Sequence, residues 1–355
     1  MSEQKTPAEQ LKSDISALQS QIGRLQDQVR LSNVRDAVED LQTEINNLDQ
    51  RVAELRTRGY VFGKDIESQA ADFESQWKAL YPSIQAQINQ QANSLQAGMR
   101  TVEAQMSQLN ARASNVAAAR PLVSKLKSDA KALESKAGAA ERAVNGMFDN
   151  LRRKVHSLSS QLKKVDWMLT ELSQASFQLL ATEAGVMAVK AVWARDGDEK
   201  KDDPEGVLFL TDQRLLFEQK EEVATKKVLF IATEKETVQK LLLDLPVELV
   251  NSVSTSKQGM LKNEDHIEVN FASGAQVRQA HFHIWHSCEE WQALIQRVKA
   301  EELDADRAVA LDQGAVEKAR SAPSQCPACG GNLAQVILRG QDEITCEYCG
   351  FVIRL

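Results

Sequence analysis

Apolar residues recur at alternating steps of three and four along the first half of the chain. A 3.5-residue repeat keeps one apolar stripe facing a partner helix, which is the a/d seam of a coiled coil. We therefore predict helix from residue 8 to about 180. The first segment of the seam consists of Leu11, Ile15, Leu18, Ile22, Leu25, Val29, Val34, Val38, Leu41, Ile45, Leu48, Val52 and Leu55. The same spacing recurs from Phe73 to Val116 and from Leu126 to Leu172.

Two breaks are predicted in this helical region. Two glycines within five residues end helices readily, so one break is expected near 59–63. The residue before a proline avoids helical geometry, so a second is expected near 120–121. The repeat also slips between Val29 and Val34, which predicts a local adjustment. Two architectures fit the segments, namely an antiparallel bundle folded back at the breaks and an extended oligomeric rod.

After residue 180 the pattern changes to a period of two, which is typical of β-strands. A charged turn at 196–206 and a tight turn at 211–213 separate the first three strands. Ser273-Gly274 is a hairpin signal between the last two, and an amphipathic helix is expected from Ser287, with Trp291 on its apolar face. The predicted strands are 185–193, 207–210, 215–217, 226–233, 240–254, 265–271 and 276–284.

Seven strands followed by one helix resemble a known superfold. The motif at 205–217 is EGVLFLTDQRLLF, and it resembles the strand–turn–strand signature of the GRAM branch of the pleckstrin-homology-like superfold. The segment at 245–261, LPVELVNSVSTSKQGML, is similar to the family's next element. The resemblance covers 186–300. It implies a β-barrel with a C-terminal helix, and binding of phosphoinositides or other anionic lipids.

The charges of this region argue against an anionic ligand. Residues 186–300 hold 15 Lys and Arg against 19 Asp and Glu, and an acidic domain repels a lipid headgroup unless a basic pocket overrides the mean field. Lys226 and Lys227 are the candidate anion-binding pair. We therefore expect the domain to recognise a protein or peptide, with the two lysines read first as solvated side chains.

A second basic stretch lies in the helical region. Residues 120–164 hold 11 Lys and Arg against 4 Asp and Glu. Arg152, Arg153 and Lys154 are its densest run and a further candidate for anion binding. The run is interpreted first as the solvated face of a helix, with a membrane or nucleic-acid surface as the alternative.

The four cysteines near the C-terminus form two CxxC pairs separated by sixteen residues. Cys326, Cys329, Cys346 and Cys349 have the spacing of a zinc ribbon, in which each CxxC turn directs two sulfurs at one ion. We predict one structural Zn²⁺ held by these residues in a ribbon at 323–355. A hairpin of 335–339 with 343–345 is expected between the pairs, and a helical linker at 301–322 is expected before them.

The segment HFHIWHSC brings three histidines and a cysteine together. His281 and His283 share one face of the predicted strand, while His286 and Cys288 lie at the start of the following helix. We interpret them as a strand face, a helix N-terminus and a packed helix cysteine. A second metal site is the less favoured alternative.

The chain is predicted to be multidomain: helices at 8–180, the GRAM-like domain at 186–300, the linker, and the ribbon. It shows no GxxxxGK, GxGxxG, HExxH or GxSxG motif, and we expect no enzyme activity. The net charge of −7 disfavours a uniformly basic nucleic-acid binder. Paired CxxC cysteines and the absence of an apolar signal core in MSEQKTPAEQ suggest the cytoplasm.

These features together predict a non-catalytic cytoplasmic scaffold or adaptor. Protein partners are expected at the GRAM-like domain and the ribbon, and self-association is expected through the coiled coil. One alternative is a nucleic-acid-associated factor that uses 120–164 and the ribbon. The other is a peripheral membrane adaptor that binds anionic lipid.

Overall fold

The computed structural model describes residues 6–228, 231–259, 263–333 and 336–355, with the side chains of 222–237 outside that description. The chain forms two compact units. The helical unit consists of Met1–Asp49 and Ser68–Ser159, and the sheet unit consists of Gln50–Glu67 and Ser160–Leu355. Each unit therefore draws on two separate stretches of the sequence.

The first half of the chain is helical, as predicted. Its helices are α1 (Pro7–Arg30), α2 (Ser32–Asn46), α3 (Leu48–Thr57), α4 (Ile66–Ala111) and α5 (Val116–Gln174). Helix α1 begins with a capping box in which Thr6 and Glu9 satisfy each other's backbone amides. It ends at Leu31, whose φ of 56° is left-handed, and this is where the apolar repeat slips. Among the described residues, none of the helices is long and apolar enough to cross a bilayer.

The helical unit is an antiparallel three-helix bundle. Polar side chains join its helices through the hydrogen bonds Gln26–Glu103, Gln42–Trp77, Gln21–Glu134 and Gln105–Asp129. The first two pairs run α1 and α2 antiparallel to α4. Gln105–Asp129, together with the ring contact of Trp77 with Phe148, runs α4 antiparallel to α5. The seam is buried inside the chain itself, with Leu25 and Leu41 1% exposed and Val38 0%. The structure thus takes the folded-back alternative.

The break predicted near 59–63 is confirmed, but the one predicted at 120–121 is wrong. Helix α5 already begins at Val116, after a turn at 112–115, and continues through Pro121. The Oδ1 atom of Asn115 accepts a hydrogen bond from the amide of Ala118 at 3.1 Å, which caps the helix. Pro121 removes a single backbone bond near the helix start, so the cap at Asn115 decides where the helix begins. Helix α4 likewise continues through Pro82.

The sheet unit is built around seven antiparallel strands. They are β1 (Gly185–Trp193), β2 (Glu205–Thr211), β3 (Arg214–Val228), β4 (Ile231–Pro246), β5 (Val250–Gln258), β6 (Glu264–Phe271) and β7 (Gln279–Ile284). Their order across the sheet is β4-β3-β2-β1-β7-β6-β5. In the part of the chain that the structure describes, β4 and β5 are the outer strands of an open sheet, so a closed barrel stays a prediction.

Two strand predictions need correction. The predicted strand 226–233 is not one strand, since β3 ends at Val228 and its antiparallel partner β4 begins at Ile231, with 229–230 outside the described residues. The predicted strand 240–254 is divided by Pro246 and a short 3₁₀ turn at Val247–Leu249, because proline cannot donate to the ladder. The turn at Ser273-Gly274 is confirmed, since β6 and β7 pair on either side of it. Gly274 has a φ of 114°.

Helix α6 (Cys288–Lys299) follows the strands, as predicted. It begins at the N-cap Ser287, whose side chain accepts from the amide of Glu290 at 3.2 Å. Its apolar face packs into the sheet core, where Trp291 and Ile295 are 0% exposed.

The segment between α3 and α4 also belongs to the core of the sheet unit. Phe62 is 3% exposed and packs with the apolar residues of the sheet. The residue before it, Val61, is held by a backbone hydrogen bond, in which the amide of Ala308 donates to the carbonyl of Val61 at 2.7 Å. The guanidinium of Arg307 lies 5.0 Å from the centre of the Phe62 ring. The two-glycine break therefore connects two helices and also attaches this part of the chain to the sheet core.

Candidate metal centre

The two CxxC pairs adopt the same backbone conformation. The amide of Gly330 donates to the carbonyl of Cys326 at 2.8 Å, and the amide of Gly350 donates to the carbonyl of Cys346 at 2.8 Å. Both glycines have a φ of 72°, a left-handed conformation that favours glycine. Each pair is thus a tight turn that brings its two thiols to one side, as the sequence predicts.

The four thiols converge on one point. The Sγ atoms of Cys326 and Cys349 lie 3.7 Å apart, as do those of Cys329 and Cys346. All four sulfurs lie within 4.8 Å of one another. A tetrahedral ion with metal–sulfur bonds of about 2.3 Å separates its ligands by about 3.8 Å. The four cysteines are therefore within metal-binding distance.

The surroundings of Cys326 favour its thiolate form. Burial raises the pKa of this thiol, but the backbone amides of Cys329 and Ala328 and the neighbouring thiols lower it to about 7. A metal binds the thiolate and not the thiol. The backbone of the first turn thus favours the thiolate of Cys326, whereas at Cys349 the amide of Phe351 is outweighed by the neighbouring thiols, which raise the pKa of Cys349 to about 12.

The strand pairing around the cysteines differs from the prediction. Strand β8 (Glu343–Thr345) pairs with β9 (Val352–Arg354), which follows the second CxxC pair. The predicted partner was 335–339, of which Gln335 lies outside the described residues. The reason is local, because the turn at 346–350 reverses the chain and returns it directly alongside β8.

The described part of the predicted hairpin strand 335–339 is hydrogen-bonded to another segment of the chain. The amide of Arg339 donates to the carbonyl of Leu179 at 2.8 Å, and the amide of Ala181 donates to the carbonyl of Ile337 at 2.8 Å. The stretch just before β1 is therefore hydrogen-bonded to the cysteine module, which is the segment 323–355. The module is thus part of the sheet unit. Helix α7 (Gln313–Ser321) adds an ion pair between Lys318 and Asp342.

A buried ion pair lies next to this junction and was missed from the sequence. Glu183 is 0% exposed, and both its oxygens accept from the guanidinium of Arg214, at 2.7 and 2.9 Å. Arg214 also donates to Asp244 at 2.8 Å, and the Arg339 side chain donates to the backbone carbonyl of Glu183. The only local signal was a charged residue among apolar ones, which does not identify a partner 31 positions away.

The candidate anion-binding residues do not form a described pocket. The side chains of Lys226 and Lys227 lie outside the described residues. Arg152 forms an ion pair with Asp149, which engages one nitrogen of its guanidinium. Arg153 and Lys154 are exposed on α5, as expected of a solvated helix face.

Cys288 is a packed helix cysteine, as interpreted from the sequence. It is 0% exposed at the start of α6. Burial, together with the nearby carboxylates of Asp265 and Glu289, raises the pKa of its thiol to about 11. Such a thiol is largely protonated at neutral pH and is a poor nucleophile.

No protein-family model matches the chain, and no curated protein matches it. Among solved structures it is similar to the Slm1-PH domain, with 13% identity and a TM-score of 0.22 over 32% of this chain and 97% of that chain. A Slm1-PH domain in complex with inositol-4-phosphate gives 14% identity and a TM-score of 0.21, over 33% and 96%. The DH/PH domains of p115-RhoGEF give 12% and 0.21, over 84% and 95%. Similarity at this level shows neither a family nor a ligand.

Proposed function

We propose that this chain is a non-catalytic adaptor whose four cysteines hold one structural zinc ion and whose sheet unit recognises a protein partner. The observation that carries the proposal is the set of four converging thiols at Cys326, Cys329, Cys346 and Cys349. Four thiolates occupy every position of a tetrahedral zinc ion and leave none for water or substrate, so such an ion is structural.

The zinc ion would stabilise more than its own loop. The module is joined to the stretch before β1 through the backbone bonds of Ala181 and Arg339. Folding of the module around zinc would therefore also fix residues 179–181, next to the buried pair of Glu183 and Arg214. On this proposal the zinc ribbon and the GRAM-like sheet work as a single recognition unit.

A protein partner suits the exposed surface of the ribbon better than a phosphate. Tyr348 is 72% exposed, and Phe351 and Val352 are each 46% exposed, on and beside the second CxxC pair. Exposed apolar side chains grouped in this way are typical of docking surfaces. The module is also net negative, which disfavours nucleic acid and anionic lipid. Its charged residues are Arg339, Arg354, Asp342, Glu343 and Glu347.

The helical unit serves in this proposal as an internal bundle. Its seam is covered within one chain, so its apolar residues need no second chain, and we expect a monomer in place of the self-association predicted through residues 8–180. The GRAM-like assignment of 186–300 is supported by seven antiparallel strands followed by α6. Cysteines that bind zinc must stay reduced, so we propose a cytoplasmic location for the adaptor.

Retention of a partner on the immobilised full chain tests the proposed function. We expect a protein from native lysate to be retained after treatment with nuclease and with detergent. A variant with Tyr348→Ser and Phe351→Ser should lose it, while Tyr81→Ser, which changes an aromatic residue 38% exposed on α4, should keep it. Loss of the bound protein after nuclease or detergent treatment would contradict the proposal.

Sedimentation with vesicles containing phosphatidylserine tests the membrane alternative. We expect the full chain to stay in the supernatant. If the vesicles carry it down, and Lys226→Glu with Lys227→Glu abolishes the effect, the protein is a membrane adaptor instead.

A further inference from the structure

A second group of metal-ligating side chains lies on β6, β7 and the connection between β1 and β2. His266 on β6 and His283 on β7 are cross-strand partners. Glu199, from the connection between β1 and β2, reaches the same place, where its Oε2 lies 2.6 Å from Nδ1 of His283. Each of the three residues offers a ligand atom within 4.8 Å of the others.

His266 has an unused nitrogen in the interior. Its side chain is 2% exposed, and its Nδ1 lies 3.0 Å from Nε2 of His281. Its Nε2 is buried and has no hydrogen-bond partner among the described residues, and Oε2 of Glu264 lies 3.9 Å from it, beyond hydrogen-bond distance. A buried polar atom without a partner is costly, and each such atom calls for an explanation. A cation bound at this nitrogen would supply one.

We propose that His266, His283 and Glu199 form a second metal site, which binds Zn²⁺ or a divalent transition-metal ion of similar chemistry. Two imidazoles and one carboxylate are a known zinc ligand set, and imidazole also suits neighbouring transition metals. His281 supports the site by fixing the orientation of His266 through their hydrogen bond. This ligand set has no thiolate, which distinguishes it from the ribbon.

Binding requires a small change in the side chains. The rings of His266 and His283 are stacked, with centres 4.7 Å apart and an angle of 15° between their planes. A nitrogen lone pair lies in the plane of its ring, so one ring must turn before both can bind the same ion. His283 lies at the sheet surface with its side chain 12% exposed, and Glu199 is 38% exposed. The outer ring is therefore the one that turns.

The ion would connect parts of the sheet unit that are far apart in sequence. Glu199 belongs to the connection at 194–204, while the histidines belong to adjacent strands of the sheet. With three protein ligands, a tetrahedral ion would keep one coordination position free. The site thus both stabilises the β1–β2 connection and leaves a coordination position for water or for a side chain of a partner.

Zinc stoichiometry of the full chain tests the proposal. The protein is stripped with chelator, loaded with Zn²⁺, desalted and assayed for metal. We expect two zinc ions per chain in the wild type and one in either Glu199→Gln or His283→Gln. His286→Gln, which changes a histidine three residues away outside the proposed ligand set, should keep two. Cys346→Ser should keep one, bound at the histidines.

A second measurement follows the histidine site by itself. The ring of Trp285 stacks on His283 with centres 4.4 Å apart, so Zn²⁺ binding should change its fluorescence. The change should persist in Cys346→Ser and vanish in His283→Gln and in Trp285→Phe. None of these variants alters the buried His266, so loss of folding does not obscure the result.

Two outcomes would overturn the proposal. One is a single zinc per wild-type chain that Cys346→Ser removes completely. The other is two zinc ions per chain in both Glu199→Gln and His283→Gln. Neither outcome affects the proposed ribbon, whose zinc is judged by Cys346→Ser alone.

Discussion

At the scale of single residues, the cysteine turns depend on glycine. Gly330 and Gly350 both have a φ of 72°, and each donates its amide to the first cysteine of its pair. A left-handed conformation costs an ordinary L-residue about 1–2 kcal/mol. The CxxCG pattern can be read from the sequence because all of its determinants lie within five positions.

Gly350→Ala should weaken zinc binding by the ribbon. The left-handed turn is retained only at a cost of about 1–2 kcal/mol, which corresponds to an affinity about 5- to 30-fold lower. Competition with a chelator of known affinity measures the change. Gly146→Ala is the control, since a Cβ there meets nothing within 4 Å and alanine favours the interior of α5. Equal zinc affinity in Gly350→Ala and wild type would show that the turn is not strained.

The buried pair of Glu183 and Arg214 shows what the sequence does not reveal. The two residues lie on opposite sides of β1 and β2 in the sequence, and only the sheet register brings them together. The sequence likewise does not reveal that Nε2 of His266 is buried without a hydrogen-bond partner, because this too depends on how the strands pair. Burial and partners are tertiary properties that a local pattern does not encode, whereas the convergence of the four cysteines was predictable from their spacing.

Arg214→Met should destabilise the sheet unit by about 3–5 kcal/mol, because it leaves the carboxylate of Glu183 buried without its partner. Urea unfolding followed by tryptophan fluorescence measures the loss. Arg278→Met, at an exposed arginine before β7, should change stability by no more than about 0.5 kcal/mol. Similar midpoints for the two variants would mean that the buried pair does not stabilise the fold.

At the scale of elements, helix starts were decided by caps more than by prolines. Asn115 caps α5 and Thr6 caps α1, while α5 continues through Pro121. The apolar repeat predicted the helices because it specifies a buried stripe regardless of its partner. It did not predict that Phe62 packs in the sheet core, since nothing in GYVFG distinguishes a loop from an anchor.

The start of α6 depends on a carboxylate from β6. The Oδ1 atom of Asp265 accepts from the amide of Cys288 at 2.8 Å and pairs with Lys257. Burial raises the pKa of Asp265, but Lys257 and the Cys288 amide outweigh it and lower the value to about 2. The charged carboxylate therefore joins the helix N-terminus to the sheet.

Acid should weaken this connection in a defined range. The pKa of Asp265 is lower in the folded state, so the unfolded state binds more protons below its usual pKa of 3.8. The stabilisation is present above about pH 4 and is lost as the pH falls towards 2. Asp265→Asn should be less stable than wild type at pH 6 and show a shallower loss between pH 4 and 2. Urea midpoints across this range measure it.

Asp202→Asn serves as the matched control, because Asp202 is exposed on the β1–β2 connection. It should follow the wild-type pH dependence. If Asp265→Asn also follows the wild-type curve at every pH, Asp265 does not anchor α6.

At the scale of the whole molecule, the chain separates a helical unit from a sheet unit that carries the cysteines. The apolar seam that suggested an oligomer is buried within the chain itself. The choice between rod and bundle could not be made from the sequence, because a 3.5-residue repeat fits a partner helix from the same chain or from another.

Light scattering should therefore find a monomer of about 39.4 kDa over a wide concentration range. Val38 lies at a seam position that is 0% exposed. Val38→Asp should lower the thermal stability of the helices, and the variant should remain a monomer like the wild type. A dimer or larger species in the wild type would instead support the extended coiled coil.

Cobalt substitution of the full chain tests the central claim most directly. Cobalt bound by four thiolates gives a strong sulfur-to-metal charge-transfer band, which imidazole and carboxylate ligands do not give. We predict this band at one ion per chain in the wild type, in Cys288→Ser and in His283→Gln, and its loss in Cys346→Ser. A wild type without the band, or a Cys346→Ser variant that keeps it unchanged, would contradict the four-cysteine metal centre on which the adaptor proposal rests.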